Sequence, residues 1–265
     1  DGVRLPFGNE GLWFSMSGIG TYKFYVPDIE TRQVAYIGTV KEGGDAPPAQ
    51  ATISAFALRL KIDDNGKISE AEQLVIRPDT SMFGGGGAGG GMSFPPTGES
   101  VEKLGAPHKI YTEVIPEAER MSREELVEVA NYYFEGMQRN DGKGYYPFTD
   151  DCHRIENGMP TTNVPVPEGQ ERPDPKNSTM YSASWGCKEQ FESGLLSFVT
   201  RIRDRRFVAV DREMGIVFAF GFFDHHSINF TWQLAELFRI ENGLIRRIEA
   251  VFHKCPFGMN SGWST

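Results

Sequence analysis

Two consecutive stretches determine the architecture of this chain, Trp232-Gln-Leu-Ala-Glu-Leu-Phe-Arg-Ile-Glu-Asn-Gly243 and Leu244-Ile-Arg-Arg-Ile-Glu-Ala-Val-Phe-His253. Apolar residues alternate with polar or small residues in both, which is the period of a β-strand with one buried face. The Asn-Gly pair at their junction is a strong signal for a tight hairpin turn. The two stretches therefore predict a long antiparallel hairpin.

A segment nearer the N-terminus repeats this hairpin. Ile53-Ser-Ala-Phe-Ala-Leu-Arg-Leu-Lys-Ile-Asp-Asp-Asn-Gly66 and Lys67-Ile-Ser-Glu-Ala-Glu-Gln-Leu-Val-Ile76 line up with it, and residues 25–38 resemble residues 208–221. Repetition of a whole supersecondary unit indicates two related units in one chain. Since no helical pattern precedes the first hairpin, we expect the first unit to lack its front half.

The repeat predicts a division of the chain into three parts. Residues 1–82 form an incomplete N-terminal unit made of strands only, residues 83–106 form a linker, and residues 107–265 form a complete unit with the candidate pocket. Residues 84–92 read Gly-Gly-Gly-Gly-Ala-Gly-Gly-Gly-Met, which cannot pack a side-chain core and is typical of a linker. The strands predicted in the first unit are 20–26, 34–40, 53–62 and 68–77.

Helical spacing appears only after the linker. Ser122 and Glu125 form a capping-box pattern that opens a helix, which continues to about residue 138 and ends at Asn140-Asp141-Gly142. The apolar residues that recur at helical spacing are Leu126, Val129, Ala130, Tyr133 and Met137. The remaining predicted elements are a strand at 151–156, a short helix at 188–196, and strands at 198–203, 206–211, 216–223, 229–240 and 245–254.

Composition and charge argue against several kinds of partner. The net charge of -9 disfavours nucleic acid, because phosphate binding depends on clustered Lys and Arg. No apolar run approaches the roughly 18 residues that a membrane-spanning helix needs, so we expect a soluble protein with no membrane partner. The chain begins at Asp1 with neither an initiator Met nor a signal peptide, so we expect processing or a further segment before it.

The chain has three cysteines. Cys152 and Cys187 flank a Pro-rich segment at residues 159–176, so a disulfide between them would hold a long loop in place. Such a bridge would favour a secreted or periplasmic location.

A helix with a Tyr at its centre, a strand after Asp150-Asp151, a second helix and an antiparallel sheet ending in an Asn-Gly hairpin together resemble the nuclear transport factor 2-like superfamily. The resemblance covers residues 121–254 and, for the back half of the unit, residues 1–78. It implies an α+β fold of two cone-shaped units with their sheets packed back to back. The superfamily includes ketosteroid isomerase, SnoaL-like polyketide cyclases and non-enzymatic binding proteins, so the fold alone does not define an activity.

The resemblance to ketosteroid isomerase implies three site residues. Ala130-Asn131-Tyr132 falls where that family has its hydroxyl-donating Tyr, which gives Tyr132 this role. Glu156 falls at the position of the general base, and Glu236 falls on the protonated carboxyl that shares the oxyanion hole. Both acids are Glu where that family has Asp, so each side chain is one methylene longer.

Alternation of residues supports a role for Glu236 independently of the resemblance. Glu236 lies on the apolar face of its strand, so desolvation should raise its pKa and keep the carboxyl protonated if that face is concave. Arg154 and Glu156 share one face of the short strand and would bring an ion pair into the same cavity. The alternatives are that Glu236 pairs with Arg154 or points to a wet cavity mouth, and that Arg154 and Glu156 form a structural ion pair.

These residues predict a cofactor-free lyase, dehydratase or isomerase that acts on a small hydrophobic or hydroxylated carbonyl compound. Glu156 is the expected base, and Glu236 and Tyr132 are the expected hydrogen-bond donors to the oxyanion. Arg154 is expected to adjust the pKa of the neighbouring carboxyl groups. One alternative is a non-catalytic protein that binds a hydrophobic ligand or acts as a scaffold, and another is an epoxide or ester hydrolase. The residues expected to bind the substrate are Tyr133, Trp232, Leu234, Phe238, Ile248 and Phe252.

Two further groups of residues have other interpretations. Asp224-His225-His226 are of metal-ligand type, but adjacent residues in a turn rarely converge on one ion, so no metal site is predicted. Glu72 and Glu249 occupy equivalent positions of the repeat on the convex face, which commonly contacts another unit. We expect both at an interface, and a homo-oligomer through the convex sheet faces is one arrangement that would use them.

Overall fold

Ten strands form two separate sheets in this computed structural model, which describes residues 11–43, 51–78, 97–196 and 198–263. Four α-helices accompany them. All strand pairs are antiparallel except one. The prediction of an α+β fold is confirmed.

The first sheet is a meander of four strands in the order β1-β2-β3-β4. The bounds are β1 Met16–Asp28, β2 Gln33–Glu42, β3 Thr52–Ile62 and β4 Ile68–Ile76. All four predicted strands are present. A one-turn helix, α1 (Leu12–Ser15), precedes them. The expectation that residues 1–82 contain strands only was therefore wrong for this helix.

A second short helix, α2 (Thr97–Lys103), lies inside the predicted linker. The Glu102 carboxylate accepts hydrogen bonds from the backbone N–H groups of Thr21 at 2.7 Å and Tyr22 at 3.3 Å, which fixes the helix to β1. The linker prediction is therefore wrong for residues 97–103, while residues 83–96 lie outside the described residues. The glycine-rich composition indicated a linker, but it could not show at which residue the chain begins to pack against the first sheet again.

The second sheet has six strands in the order β6-β5-β10-β9-β8-β7. Its elements, in chain order, are α3 Arg123–Arg139, β5 Phe148–Glu156, β6 Met159–Pro160, α4 Cys187–Glu192, β7 Arg201–Asp211, β8 Ile216–His225, β9 Phe230–Glu241 and β10 Leu244–Pro256. Single 3-10 turns occur at Lys109–Thr112, Glu117–Glu119 and His226–Ile228.

Helix α3 begins and ends where the sequence predicts. The Ser122 hydroxyl accepts from the backbone N–H of Glu125 at 3.2 Å, and the Glu125 carboxylate accepts from the backbone N–H of Ser122 at 2.8 Å. Asn140 ends the helix in the left-handed conformation. The apolar side of α3 is buried on one face of the second sheet, which we call the inner face. Each large apolar side chain buried there contributes about 1.5–3 kcal/mol.

Strand β7 differs from the prediction of two strands, 198–203 and 206–211. The structure has one strand with an irregular register between Arg203 and Arg206. Asp204 has a φ of 51° at this point, which is typical of a bulge. The bulge breaks the alternation of side chains, and the sequence pattern therefore suggested two shorter strands.

The outer face of the second sheet packs against the first sheet through one continuous apolar cluster. Polar contacts also cross this interface: the Tyr22 hydroxyl donates to Glu249, and Arg206 donates to both carboxylate oxygens of Glu72 at 2.8 and 2.7 Å. The expectation that Glu72 and Glu249 lie at an interface is confirmed, within this chain. That the two sheets are copies of one cone-shaped unit stays a prediction, as does a homo-oligomer.

The predicted disulfide is not formed in the structure. Cys152 and Cys187 are free, buried thiols in the same apolar cluster, and they interact with each other. Burial raises the pKa of Cys152 well above its usual value. Among the described residues, no helix has the length and apolar character required to cross a membrane.

Candidate functional site

A cavity of about 120 Å³ lies on the inner face of the second sheet. Helix α3, strands β5, β8, β9 and β10 and two loop segments contribute to its walls. The lining residues are Met137, Arg154, Glu156, Thr161, Tyr181, Leu196, Phe198, Phe223, Trp232, Leu234, Glu236, Ala250 and Phe252. Most are apolar, and the charged ones are Arg154, Glu156 and Glu236.

The register of three neighbouring strands places the two carboxyl groups. Ala250 of β10 pairs with Glu156 of β5 on one side and with Glu236 of β9 on the other. Neighbouring strands lie about 4.8 Å apart, so the two glutamate backbones are separated by about 10 Å. The methyl group of Ala250 leaves space between the two side chains. Both carboxyl groups therefore face one cavity.

Glu236 is 1% exposed. Burial, and after it the nearby Glu156 charge, raise the pKa of its carboxyl to about 8, while Tyr133 and Arg154 act in the opposite direction. Within the described residues, its Oε2 atom has no hydrogen-bond partner. The carboxyl is therefore protonated at neutral pH and can donate a hydrogen bond to a ligand.

Tyr133 lies beside Glu236, in the apolar cluster around the cavity. Its hydroxyl interacts with the carboxyl strongly enough to lower the pKa of Glu236, although the two groups lack the geometry of a full hydrogen bond. Burial raises the pKa of Tyr133 well above its usual value, so the hydroxyl stays protonated. The protonated Tyr133 hydroxyl is thus a potential hydrogen-bond donor to the Glu236 carboxyl itself.

Arg154 is a buried cation with fixed orientation. Its Nε donates to the Thr161 hydroxyl at 3.1 Å, and its Nη2 donates to Gln190 at 2.7 Å and to the Tyr181 hydroxyl at 3.1 Å. Its Nη1 has no hydrogen-bond partner in the part of the chain that the structure describes. Arg154 can therefore offer one more hydrogen bond without moving.

Glu156 pairs with this cation. Its Oε1 lies 3.5 Å from Arg154 Nε, and its side chain is 24% exposed. The predicted ion pair in the cavity is therefore present. Neither alternative for Glu236 is observed. Glu236 forms no ion pair with Arg154 in the described residues, and because it is buried it does not point to a solvent-filled mouth of the cavity.

The structure does not place Tyr132 in the cavity, and its assignment as an oxyanion donor is wrong. Its hydroxyl donates to Glu128 at 2.9 Å on the exposed side of α3. Successive residues of a helix point about 100° apart, so only Tyr133 reaches Glu236. The helical spacing of the apolar residues in the sequence already placed Tyr133 on the buried side. This spacing indicated the directions of the two tyrosines more reliably than the alignment with ketosteroid isomerase did.

The predicted substrate-binding residues divide into two groups. Trp232, Leu234 and Phe252 line the cavity, whereas Phe238 and Ile248, like Tyr133, belong to the apolar cluster around it and are not among its lining residues. The lining residues that the sequence did not indicate are Met137, Thr161, Tyr181, Leu196, Phe198, Phe223 and Ala250. Thr161 and Tyr181 come from the long loop, which has no periodic pattern.

Asp224, His225 and His226 do not converge. Asp224 pairs with Arg203 at 2.9 Å and accepts from Thr231 at 2.6 Å. His225 is buried among aromatic rings, and His226 is exposed. No group of three potential metal ligands occurs in the described residues.

Comparison with known families gives one match, to the family described as "Domain of unknown function (DUF8021)", over residues 119–252. This segment is just over half of the chain. The chain belongs to this family. The DUF8021 segment runs from just before α3 into β10, so it contains every lining residue of the cavity. It also nearly coincides with residues 121–254, for which we noted a resemblance.

The similar solved structures have low TM-scores and low sequence identities to this chain. A de novo designed protein with a curved β-sheet is 20% identical at a TM-score of 0.31, covering 49% of this chain and 87% of its own. AusH from Aspergillus nidulans is 15% identical at 0.32, covering 49% and 85%. A protein of unknown function with a cystatin-like fold from Methylobium petroleophilum PM1 is 14% identical at 0.33, covering 50% and 78%.

Similarity at this level assigns neither a substrate nor an activity to the DUF8021 segment. A search of curated proteins finds no match to this sequence.

Proposed function

We propose that the cavity is the active site of a cofactor-free lyase, dehydratase or isomerase that moves a proton next to a carbonyl group. The observation that supports this most is the pKa of Glu236, raised to about 8, in a carboxyl that shares the cavity with Glu156. A protein that only holds an apolar ligand has no need of a protonated acid at this position.

In this proposal Glu156 takes the proton from the carbon next to the substrate carbonyl. The electron pair of the C–H bond forms a new C=C bond, and the carbonyl oxygen becomes an enolate oxygen. That oxygen accepts a hydrogen bond from the protonated Glu236 carboxyl, beside which the Tyr133 hydroxyl lies. Arg154, at 3.5 Å from Glu156, balances the charge of the base before the transfer.

The fate of the enolate separates the three reaction types. Return of the proton from Glu156 to a different carbon completes an isomerisation. Departure of a hydroxyl or another group from the neighbouring carbon completes a dehydratase or lyase step, and Glu156 then returns its proton to the leaving group. All three begin with the same proton removal, which can be measured without knowledge of the natural substrate.

Exchange of hydrogen for deuterium next to a carbonyl tests this step. We would incubate the full chain with a panel of small cyclic ketones in D2O and follow exchange by NMR. The wild-type protein should accelerate exchange for part of the panel, and Glu156→Gln should reduce this acceleration by about 100-fold or more. Glu128→Gln, the same chemical change on the exposed side of α3, should leave exchange unchanged.

Equal exchange by the wild-type protein and Glu156→Gln for every ketone would refute the proposal. If ketones bind with no accelerated exchange, the protein is a non-catalytic binding protein, which was the alternative from another functional class. Incorporation of water oxygen into an epoxide or ester would instead identify the hydrolase.

A further inference from the structure

A second polar group lies at the opposite end of the cavity from Glu236. Trp232 is four residues earlier on the same face of β9, and at about 3.3 Å per residue their backbones are about 13 Å apart. Both residues line the cavity. The indole Nε1 of Trp232 is buried and has no hydrogen-bond partner among the described residues. A buried N–H without a partner is unfavourable, so the cavity favours a ligand that accepts a hydrogen bond from it.

Aromatic packing fixes the orientation of this indole. Its ring centroid lies 4.3 Å from that of His225, 4.7 Å from Phe252 and 6.0 Å from Phe198. Burial lowers the pKa of His225 to about 4, so its ring is neutral at physiological pH. The side chain of Trp232 cannot easily turn away, and a ligand must bring its acceptor to the indole.

The wall between the two polar ends is apolar. Leu234 lies between Trp232 and Glu236 on β9, and the facing positions carry Gly221 on β8 and Phe252 on β10. The glycine adds no side chain on one side, while the phenyl ring supplies a flat surface on the other. This shape suits a flat ring better than a branched chain.

We infer that the cavity selects a monocyclic, flat carbonyl or hydroxyl compound with a second hydrogen-bond acceptor at its far end. The carbonyl or hydroxyl oxygen lies at Glu236, and the second acceptor receives the Nε1–H of Trp232. This inference rests on the proposed function for its first contact. The volume of about 120 Å³ agrees with a single ring, since engineered cavities of about 150 Å³ bind benzene.

Two phenols of equal size test the second contact. 4-Methoxyphenol carries an ether oxygen where 4-ethylphenol has a methylene, and otherwise the two are matched. Calorimetry on the full chain should show 4-methoxyphenol binding about fivefold more tightly, as expected for one net hydrogen bond. Trp232→Phe should bring the ratio to about one, whereas Trp263→Phe, which alters an indole packed on Arg59 away from the cavity, should preserve it.

Glu236→Met separates this inference from the proposed function, because a thioether keeps much of the side-chain volume but has no hydrogen-bond donor. We expect it to weaken both phenols by a similar factor and to leave their ratio at about fivefold. Equal affinity of the two phenols for the wild-type protein, a ratio that survives Trp232→Phe, or no binding of either phenol would each overturn the inference. If the ratio depends on Trp232 but Glu236→Met changes neither affinity, the contact with the indole stands and the proposed role of Glu236 fails.

Discussion

Glu156 and Glu236 lie on either side of a single alanine, each paired in register with Ala250 across adjacent strands. The charge of Glu156 raises the pKa of Glu236, although burial is the larger cause. The small side chain of Ala250 leaves space between the two carboxyl groups, and it is therefore as important to the site as the glutamates themselves.

Replacing Ala250 by Leu should fill the space between the carboxyl groups. We expect binding of 4-methoxyphenol to be lost, because the larger side chain would occupy the part of the cavity that Ala250 lines. Overpacking should also lower the free energy of unfolding by about 1–3 kcal/mol. Calorimetry and urea unfolding measure the two effects separately.

Ala250→Ser is the matched control, because it changes the polarity of the site with little change in volume. It should retain phenol binding within a few-fold. Tight binding by Ala250→Leu would show that the ligand lies elsewhere.

The raised pKa of Glu236 should make the protein less stable as the pH rises. The folded carboxyl has a pKa of about 8, above its ordinary value of 4.5, so between these values the native state holds a proton that the unfolded state has lost. This contribution is complete below pH 4.5 and is lost as the pH rises to 8. The slope is about 1.4 kcal/mol per pH unit.

Glu236→Gln should remove this slope. Urea unfolding of both proteins from pH 5 to 9 measures it, and the stability of the wild-type protein relative to the variant should fall steadily up to about pH 8. Parallel curves across this range would mean that Glu236 titrates alike in the folded and unfolded chains. Glu156→Gln should shift the upper limit of the fall to lower pH, since its charge is the second cause of the raised pKa.

The neighbouring tyrosines of α3 provide an internal comparison. Tyr133→Phe removes a group that lowers the pKa of Glu236, so this pKa should rise. Tyr132→Phe removes a hydroxyl bound to Glu128 on the exposed side and should leave the pKa of Glu236 unchanged. Infrared titration of the protonated carboxyl band measures the pKa. A larger effect from Tyr132→Phe would restore the assignment made by resemblance.

Local periodicity made much of the fold predictable. Glu236 lies on the inner face as the alternation of its strand predicts, because a strand with one buried face has a strict period of two. Ala250 lies on the same face of the neighbouring strand. The hairpin between them turns at Asn242 and Gly243, whose φ values of 50° and 75° fit the expected tight turn. The capping box of Ser122 is equally local, and the structure confirms it.

The remaining features of the site depend on contacts between distant parts of the chain. Arg154 is held by Thr161, Tyr181 and Gln190, which come from a loop without a pattern and from α4. No spacing in the sequence indicates which polar loop residues will meet a buried guanidinium. Tyr132 was chosen by alignment to a family, where a shift of one residue turns a helical side chain to another direction.

The contact between Arg206 and Glu72 should contribute measurably to the association of the two sheets. Arg206 donates two hydrogen bonds to the carboxylate, and the two side chains are 19% and 7% exposed. Arg206→Met should lower the free energy of unfolding by about 3 kcal/mol, because it removes one partner of a largely buried pair. Arg59, at 3.2 Å from Glu72, limits the loss since it still balances the charge.

Arg32→Met is the control for this prediction. Arg32 pairs with Asp64 within the first sheet, where the side chains are 57% and 84% exposed, so its loss should cost less than about 1 kcal/mol. Urea unfolding of both variants at the same pH and salt concentration gives the comparison. Equal losses would mean that the apolar cluster alone holds the sheets together, because water and salt would then screen the buried pair as fully as the exposed one.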